Sequence, residues 1–208
     1  MKPCKALSLI SSGIDSPVAT HIMKNKGLDI IGIHFSNEPL AHSSPREKCV
    51  EICRHLGIKK LYIVKHGTLV QVQLMRNCDD KSRCVLCRRM MFRIAEAIAK
   101  KENCECLITG ENLGQVASQT LDNMHVTDSA VSIPILRPLL CNDKQEIIDL
   151  AKKIGTYEHS VEAASCCNAV PKQPITKAII PKIEAEEQKI DVEKIVKEAI
   201  ETAVILDI

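Results

Sequence analysis

Short apolar runs alternate with helical patterns along most of the chain, and that alternation leaves few folds open. The runs cover residues 6–10, 29–35, 60–64 and 106–109, with a fifth near 133–136. Each is rich in Ile, Leu or Val and lacks a two-residue polar alternation, the pattern of strands buried on both faces. Amphipathic patterns separate them at 16–26, 45–56 and 86–101, and Gly27 and Gly57 stand where helix stops belong. The spacing predicts a doubly wound, mostly parallel α/β sheet. Ligands of such sheets sit outside the strand carboxyl ends. Residues 11–16, 34–37 and 110–114 fall at those ends, so they are expected to converge on one crevice.

A further helix is expected over 143–154, stopped at Gly155. Between Glu158 and Pro174 the periodicity fails, which reads as an irregular loop, and Pro171, Pro174 and Pro181 then break the chain. A last helix is expected over 191–206. The sequence therefore divides into a nucleotide-fold domain, 1–178, and a C-terminal helical extension, 179–208.

The first strand stops on Ser11-Ser12-Gly13-Ile14-Asp15-Ser16, and a helical pattern follows at once. Backbone N–H groups at a helix start lack internal partners and carry partial positive charge, so they attract anions. Ser and Gly let phosphate oxygens come close to the backbone. No Gly-Lys-Ser/Thr follows, which excludes a Walker A loop. The same six residues also suit an ordinary capped strand-to-helix turn.

Composition narrows the partners. Hydrophobic residues make up 45% and charged ones 26%, the balance of a soluble globular chain. No apolar run approaches the ~20 residues of a membrane span, and the start Met-Lys-Pro-Cys runs into a strand with no leader pattern, so a cytoplasmic protein is expected. Aromatics are only 2%, which argues against base stacking on an aromatic platform. A net charge of +2 is too small to signal nucleic-acid binding by itself. Eleven cysteines in such a chain suggest metal or redox chemistry rather than staples. Cys4, Cys49, Cys53, Cys104, Cys106 and Cys141 read as small buried hydrophobes. Cys84-Val85-Leu86-Cys87, at an expected helix start, could share a metal or cluster or form a redox pair. Cys166 and Cys167 lie in the irregular loop.

The loop at Ser11–Ser16 resembles the pyrophosphate-binding loop of ATP pyrophosphatases, commonly Ser-Gly-Gly-x-Asp-Ser, with Ser12 in place of the first Gly. Four longer stretches follow in order. They are Cys84-Val-Leu-Cys-Arg-Arg-Met-Met-Phe-Arg, Thr109-Gly-Glu-Asn-Leu-Gly-Gln-Val-Ala-Ser-Gln-Thr, Leu136-Arg-Pro-Leu-Leu and Asp143-Lys-Gln-Glu-Ile-Ile. Together they resemble the tRNA 4-thiouridine synthetase family, ThiI, in its adenylating domain, over residues 5–178. The resemblance implies the PP-loop ATP pyrophosphatase fold of the adenine nucleotide alpha hydrolase (HUP) type. It extends to neither the ferredoxin-like and THUMP domains that grip tRNA in that family nor its rhodanese domain, and none of these is expected in this chain.

Roles follow from the resemblance. Leu9, Ile10, His34 and Phe35 would line the adenine and ribose pocket, Ser11, Ser12, Gly13 and Ser16 the phosphate loop, and Arg88, Gly110 and Gln119 would complete the nucleotide site. Asp15 matches the family's essential loop acid and could hold Mg²⁺ on the phosphates of ATP. Lys144 matches an essential lysine and could neutralise charge on the leaving pyrophosphate. Cys167 falls on the catalytic cysteine position. Cys84, Cys87 and Cys167 (or Cys166) are candidate iron–sulfur ligands; a zinc site, a Cys84–Cys87 disulfide or a persulfide on Cys167 are the alternatives.

The implied reaction is adenylation of a tRNA uridine by ATP, then replacement of its oxygen by sulfur from a sulfide or persulfide donor, giving 4-thiouridine. The competing readings are adenylation of another tRNA position or small molecule, and a non-catalytic ATP- or AMP-binding module. Lys81, Arg83, Arg88, Arg89 and Arg93 form either a phosphate-facing stripe for tRNA or a solvated helix face. A separate tRNA-binding protein, or a homodimer with a larger basic surface, would supply the rest of the grip.

Overall fold

The computed structural model describes residues 3–38, 45–161 and 170–208. Its elements run β1 (Lys5–Leu9), α1 (Asp15–Asn25), β2 (Asp29–Phe35), α2 (Pro45–His55), β3 (Lys60–Val64), α3 (Val72–Asn77), α4 (Arg83–Glu102), β4 (Cys106–Ile108), α5 (Leu121–Asp128), β5 (Ile135–Leu136), α6 (Lys144–Lys153), α7 (Tyr157–Val161), α8 (Ile180–Glu187), α9 (Val192–Thr202) and β6 (Val204–Asp207). One sheet carries the strands in the order β5-β4-β1-β2-β3-β6. All pairs are parallel except β3 with β6.

The chain winds outward from β1 in both directions, through β2 and β3 on one side and β4 and β5 on the other. The order reverses between β1 and β4, and a crevice opens there at the strand carboxyl ends. Alternate side chains of the strands feed two cores. Leu7, Leu9, Ile31 and Ile33 face α4 and α9, through Leu86, Met90, Ile94, Ile195 and Ala199. Ala6, Ile10, Ile30 and Ile63 face α1, α2 and α6, through Val18, Ala19, Ile52, Ile147 and Ala151. This two-sided burial is why the inner strands read as unbroken apolar runs.

The C-terminal end departs from the expected helix over 191–206. Helix α9 ends at Thr202, and Val204–Asp207 pairs antiparallel with β3, Lys60 opposite Asp207 and Ile63 opposite Val204. The helical extension thus finishes as an edge strand. Two smaller corrections concern the segments beside it. Helix α7 occupies residues 157–161, where an irregular loop was expected, and Pro181 opens α8 rather than breaking the chain, because a first-turn proline needs no N–H partner.

Cys49, Cys53, Cys104 and Cys106 are buried as expected, and burial pushes their thiols up, Cys53 to about 12 and Cys104 to about 11, so they are unreactive. Cys4 is only half-buried and Cys141 is exposed, which corrects the buried reading for both. Cys141 sits in the turn before α6, where no strand covers it. No helix among the described residues is long and apolar enough to cross a membrane.

Candidate active site

The loop after β1 closes on the first turn of α1. The Ser11 backbone N–H donates to Ser16 Oγ at 2.8 Å, the Gly13 N–H to Ser11 Oγ at 3.3 Å, and the two hydroxyls lie 3.0 Å apart. Ser12 does not take the left-handed conformation that would demand glycine; Asn103 alone does so among the described non-glycine residues. The serine therefore fits a loop whose commoner residue is glycine. At Gly110 the demand is steric. A β-carbon there would lie 2.5 Å from Ser16 N and 2.7 Å from Ser16 Cα. The segment after β4 thus rests directly on the N-terminus of α1.

A capping box starts α6. Asp143 Oδ1 accepts from the Gln145 N–H at 2.7 Å and Glu146 Oε2 from the Asp143 N–H at 3.0 Å. Asn112 Nδ2 donates to the Asn142 carbonyl at 2.7 Å, tying the post-β4 segment to this start. Lys144, the first residue of α6, consequently projects toward the loop, and its Nζ lies 2.6 Å from Asp15 Oδ1. The Gln115 amide bridges the same pair, with its oxygen 2.7 Å from Lys144 Nζ and its nitrogen 3.3 Å from Asp15 Oδ2.

Behind the loop lies a cavity of about 490 Å³. The structure brings to its wall Leu9, Ile10, Ser11, Ser12, Gly13, Asp15, Ser16, His34, Phe35, Arg88, Gly110 and Gln119, together with Cys84 and Cys87. Lys144 stands outside this lining, at the rim, on Asp15. Cys166 and Cys167 lie outside the described residues.

Two buried histidines face the cavity. His34 Nδ1 donates to the Ile10 carbonyl at 3.0 Å, with Cys49 Sγ 3.2 Å away, which leaves Nε2 the unprotonated nitrogen. Burial lowers the His34 pKa, so the ring is neutral. His66 stands edge-on to Phe35, its Nε2 3.1 Å from Cys87 Sγ. Burial, with Arg88 nearby, lowers its pKa to about 3. His34 Nε2, His66 Nδ1, Glu111 Oε1 and Gln119 Oε1 are buried without a hydrogen-bond partner. A wall with this many unsatisfied atoms is built to receive polar groups.

Cys84 and Cys87 sit three apart in the first turn of α4, on the cavity side. Paired soft sulfur donors suit an iron–sulfur cluster or zinc. Among the described residues no group of three His, Cys, Asp or Glu is placed to hold a metal ion.

The basic stripe is corrected. Arg89 is wholly buried, with Nε and Nη2 on the Glu187 carboxylate at 3.1 and 2.9 Å and Nη1 on the Val126 carbonyl at 2.7 Å. Arg93 Nη2 shares Glu187 at 2.8 Å, and Arg83 pairs with Asp80. Arg89 is thus spent inside the protein, while Arg93 stays 30% exposed beside it and Arg83 lines the cavity. Glu111, His66, Asn37, Gln71 and Thr109 also line the cavity and were not singled out. Glu111 and Thr109 belong to a quoted motif and Asn37 to a strand end, which were usable signals; His66 and Gln71 carry none.

The family model described as "Thiamine biosynthesis protein (ThiI)" matches residues 3–192. A probable tRNA sulfurtransferase of Caldanaerobacter subterraneus subsp. tengcongensis is 42% identical, covering 92% of this chain and 52% of that protein. A probable tRNA sulfurtransferase of Methanosarcina mazei is 41% identical, covering 97% and 51%. The chain thus spans about half the length of the curated relatives it matches. Among solved structures, a 4-thiouridine synthetase–RNA complex with bound ATP aligns with a TM-score of 0.92 at 37% identity, covering 98% of this chain and 55% of that one. NMN synthetase of Francisella tularensis aligns at 0.58 with 16% identity, a likeness of fold alone.

Proposed function

The chain belongs to the ThiI family, and on that premise we propose that it is an ATP-dependent sulfurtransferase that converts a tRNA uridine to 4-thiouridine. The observation that carries this reading is the shared cavity, whose lining includes both the loop at the start of α1 and Cys84 and Cys87. A phosphate loop alone would suit any nucleotide-binding module. A phosphate loop that shares a cavity with thiols suits an adenylate consumed by sulfur. The bound ATP and RNA named for the solved relative support the same substrates here.

In this reading ATP lies across the carboxyl ends of β1 and β2, its adenine beside Leu9, Ile10, His34 and Phe35. Its phosphates meet the N–H groups of the loop and of α1. Arg88, Gly110 and Gln119 close the nucleotide half. Asp15 would hold Mg²⁺ at the phosphates. The O4 of the uridine attacks the α-phosphorus as N3 gives up its proton, and pyrophosphate departs toward Lys144, whose ammonium offsets the developing charge. Adenylation turns a poor leaving oxygen into a good one. Hydrosulfide then adds at C4, its proton passing to N3 as AMP leaves, and holding both partners in one cavity supplies the proximity the second step needs.

Cys84 and Cys87, with Cys167 or Cys166, are the residues that would hold an iron–sulfur cluster. Such a group, when bound, would supply iron to which hydrosulfide could bind. Iron and acid-labile sulfide assays on protein purified without oxygen test it; zinc in place of iron removes the cluster from the account. The reaction itself is tested with unmodified tRNA, ATP and sulfide. Release of AMP and pyrophosphate with 4-thiouridine in the digested RNA is expected. Thiolation at a different nucleoside would transfer the proposal to another acceptor, and ATP bound without cleavage would reduce the protein to a binding module.

A further inference from the structure

Gln115 belongs to the segment after β4, and that segment is pinned to both elements that carry charge at the loop. On one side Gly110 packs on the N-terminus of α1, where a β-carbon would meet Ser16 N at 2.5 Å. On the other, the Leu113 N–H donates to the Leu140 carbonyl at 3.0 Å and Asn112 Nδ2 to the Asn142 carbonyl at 2.7 Å, just before α6. Gly114 then turns the chain with a φ of 73°, a conformation that favours glycine, and its N–H donates to the Gln119 carbonyl at 2.8 Å. The turn leaves Gln115 across the gap between Asp15 on α1 and Lys144 on α6. Its amide serves both, the oxygen 2.7 Å from Lys144 Nζ and the nitrogen 3.3 Å from Asp15 Oδ2.

Lys144 reaches this position on a flexible side chain that is 46% exposed. Its two acceptors differ in charge. Asp15 is an anion, and an anion beside the phosphates of ATP repels them. As the phosphates arrive, the ammonium must turn from the carboxylate toward them. The amide oxygen of Gln115 is neutral, so it keeps its hydrogen bond through that turn without opposing the phosphates. An ammonium has three N–H groups, enough for the amide, the carboxylate and a phosphate oxygen. Without the amide, the long side chain regains its rotamer freedom and the ammonium leaves the loop for solvent.

We propose that Gln115 is the positioning residue for Lys144: its amide oxygen holds the ammonium over the phosphate loop while pyrophosphate leaves. Gln115 is exposed and stands outside the cavity lining, so it acts on the rate through Lys144 and not by contact with adenine or the acceptor base. This rests on the adenylation proposed above.

The test is single-turnover pyrophosphate release with unmodified tRNA over a range of ATP concentrations. It compares wild type, Gln115→Ala, Gln115→Met, Lys144→Ala and the double variant Gln115→Ala, Lys144→Ala. Gln115→Met keeps the side chain's length and lacks the oxygen. Both Gln115 variants should be slower at saturating ATP by roughly 5- to 30-fold, the loss of one hydrogen bond to a charged group. The ATP concentration for half-maximal rate should stay within about twofold of wild type. In the Lys144→Ala background, Gln115→Ala should change the rate by no more than about twofold. Equal factors in the two backgrounds, or a wild-type rate in Gln115→Met, would overturn the proposal. A second readout needs no turnover: acetylation of Lys144 by acetic anhydride without ATP, followed by mass spectrometry, with the exposed Lys197 as reference. It should quicken about threefold or more in Gln115→Met, since the ammonium has lost one of its two acceptors. Unchanged labelling also overturns the proposal. Quickened labelling in a protein that releases no pyrophosphate with any RNA would instead bring down the adenylation reading, and the catalytic half of this inference with it.

Discussion

At Ser12 the backbone stays out of the left-handed region, so the loop accepts a β-carbon where the commoner residue is glycine. Ser12→Gly should retain the fold but lose about 0.4–1 kcal/mol, because glycine frees the unfolded chain; urea unfolding measures it. Gly110 is the opposite case. A β-carbon 2.5 Å from Ser16 N forces the two segments apart, and Gly110→Ala should cost about 1–3 kcal/mol and weaken ATP binding by distorting the loop. Lys144 is 46% exposed in its side chain and contributes little to stability through its pair with Asp15. Lys144→Ala should therefore keep the wild-type melting temperature while lowering the rate of pyrophosphate release roughly 10²- to 10³-fold. Residues of this kind were legible because motif and strand end coincide. Glu111 stood inside a quoted motif, yet sequence does not show that Arg137 arrives from beyond β5 to pair with it. His66 had no signal, since its role comes from meeting Phe35 and Cys87, both distant in sequence.

Among the elements, α4 does two jobs a residue apart. Cys84, Cys87 and Arg88 look into the cavity, while Arg89 and Arg93 grip Glu187 at the end of α8. Removing Glu187 leaves Arg89 charged and buried with only the more distant Glu184 carboxylate, 4.0 Å away, and Glu187→Ala should cost about 3–5 kcal/mol. The double variant Arg89→Met, Glu187→Leu should regain much of that, and chemical unfolding of the set separates burial of charge from loss of packing. A sequence reading sees four arginines on a helix and gives them to solvent or phosphate; only the tertiary partner shows otherwise. The inner strands β2 and β3 fall on the predicted bounds because burial on both faces leaves an unmistakable apolar run. Strand β6 was missed because Val204–Asp207 continues the apolar spacing of α9 closely enough to pass for its last turn. Pairing with β3, not local preference, makes it a strand.

Across the whole molecule, acid should loosen the joints before the core. Burial alone would raise the Glu96 pKa, but hydrogen bonds from the Ser132 hydroxyl, the Ser132 and Ile133 N–H groups and Lys100 pull it down to about 2. Glu187 is also held below the usual carboxylate range; burial acts against the arginines, and Arg89 and Arg93 win. A carboxylate depressed in the folded state stabilises above its unfolded value, about 4.5, and that support is lost as pH falls toward the folded value. Stability should fall below pH ~4.5 with a slope approaching 1.4 kcal/mol per pH unit for each group. Glu96→Gln should flatten the slope measured by unfolding at a series of pH values. The position of β1 has a different consequence. It lies inside the sheet, bonded to β2 on one edge and β4 on the other, and the Ser11–Ser16 loop hangs directly from its end. Its amides can meet solvent deuterium only when the sheet itself opens, whereas those of β6 exchange by fraying at the rim. The Ser11–Ser16 loop is thus anchored to the slowest-exchanging part of the protein, and Cys84 and Cys87 to a helix whose middle is tethered to α8 through Arg89 and Arg93.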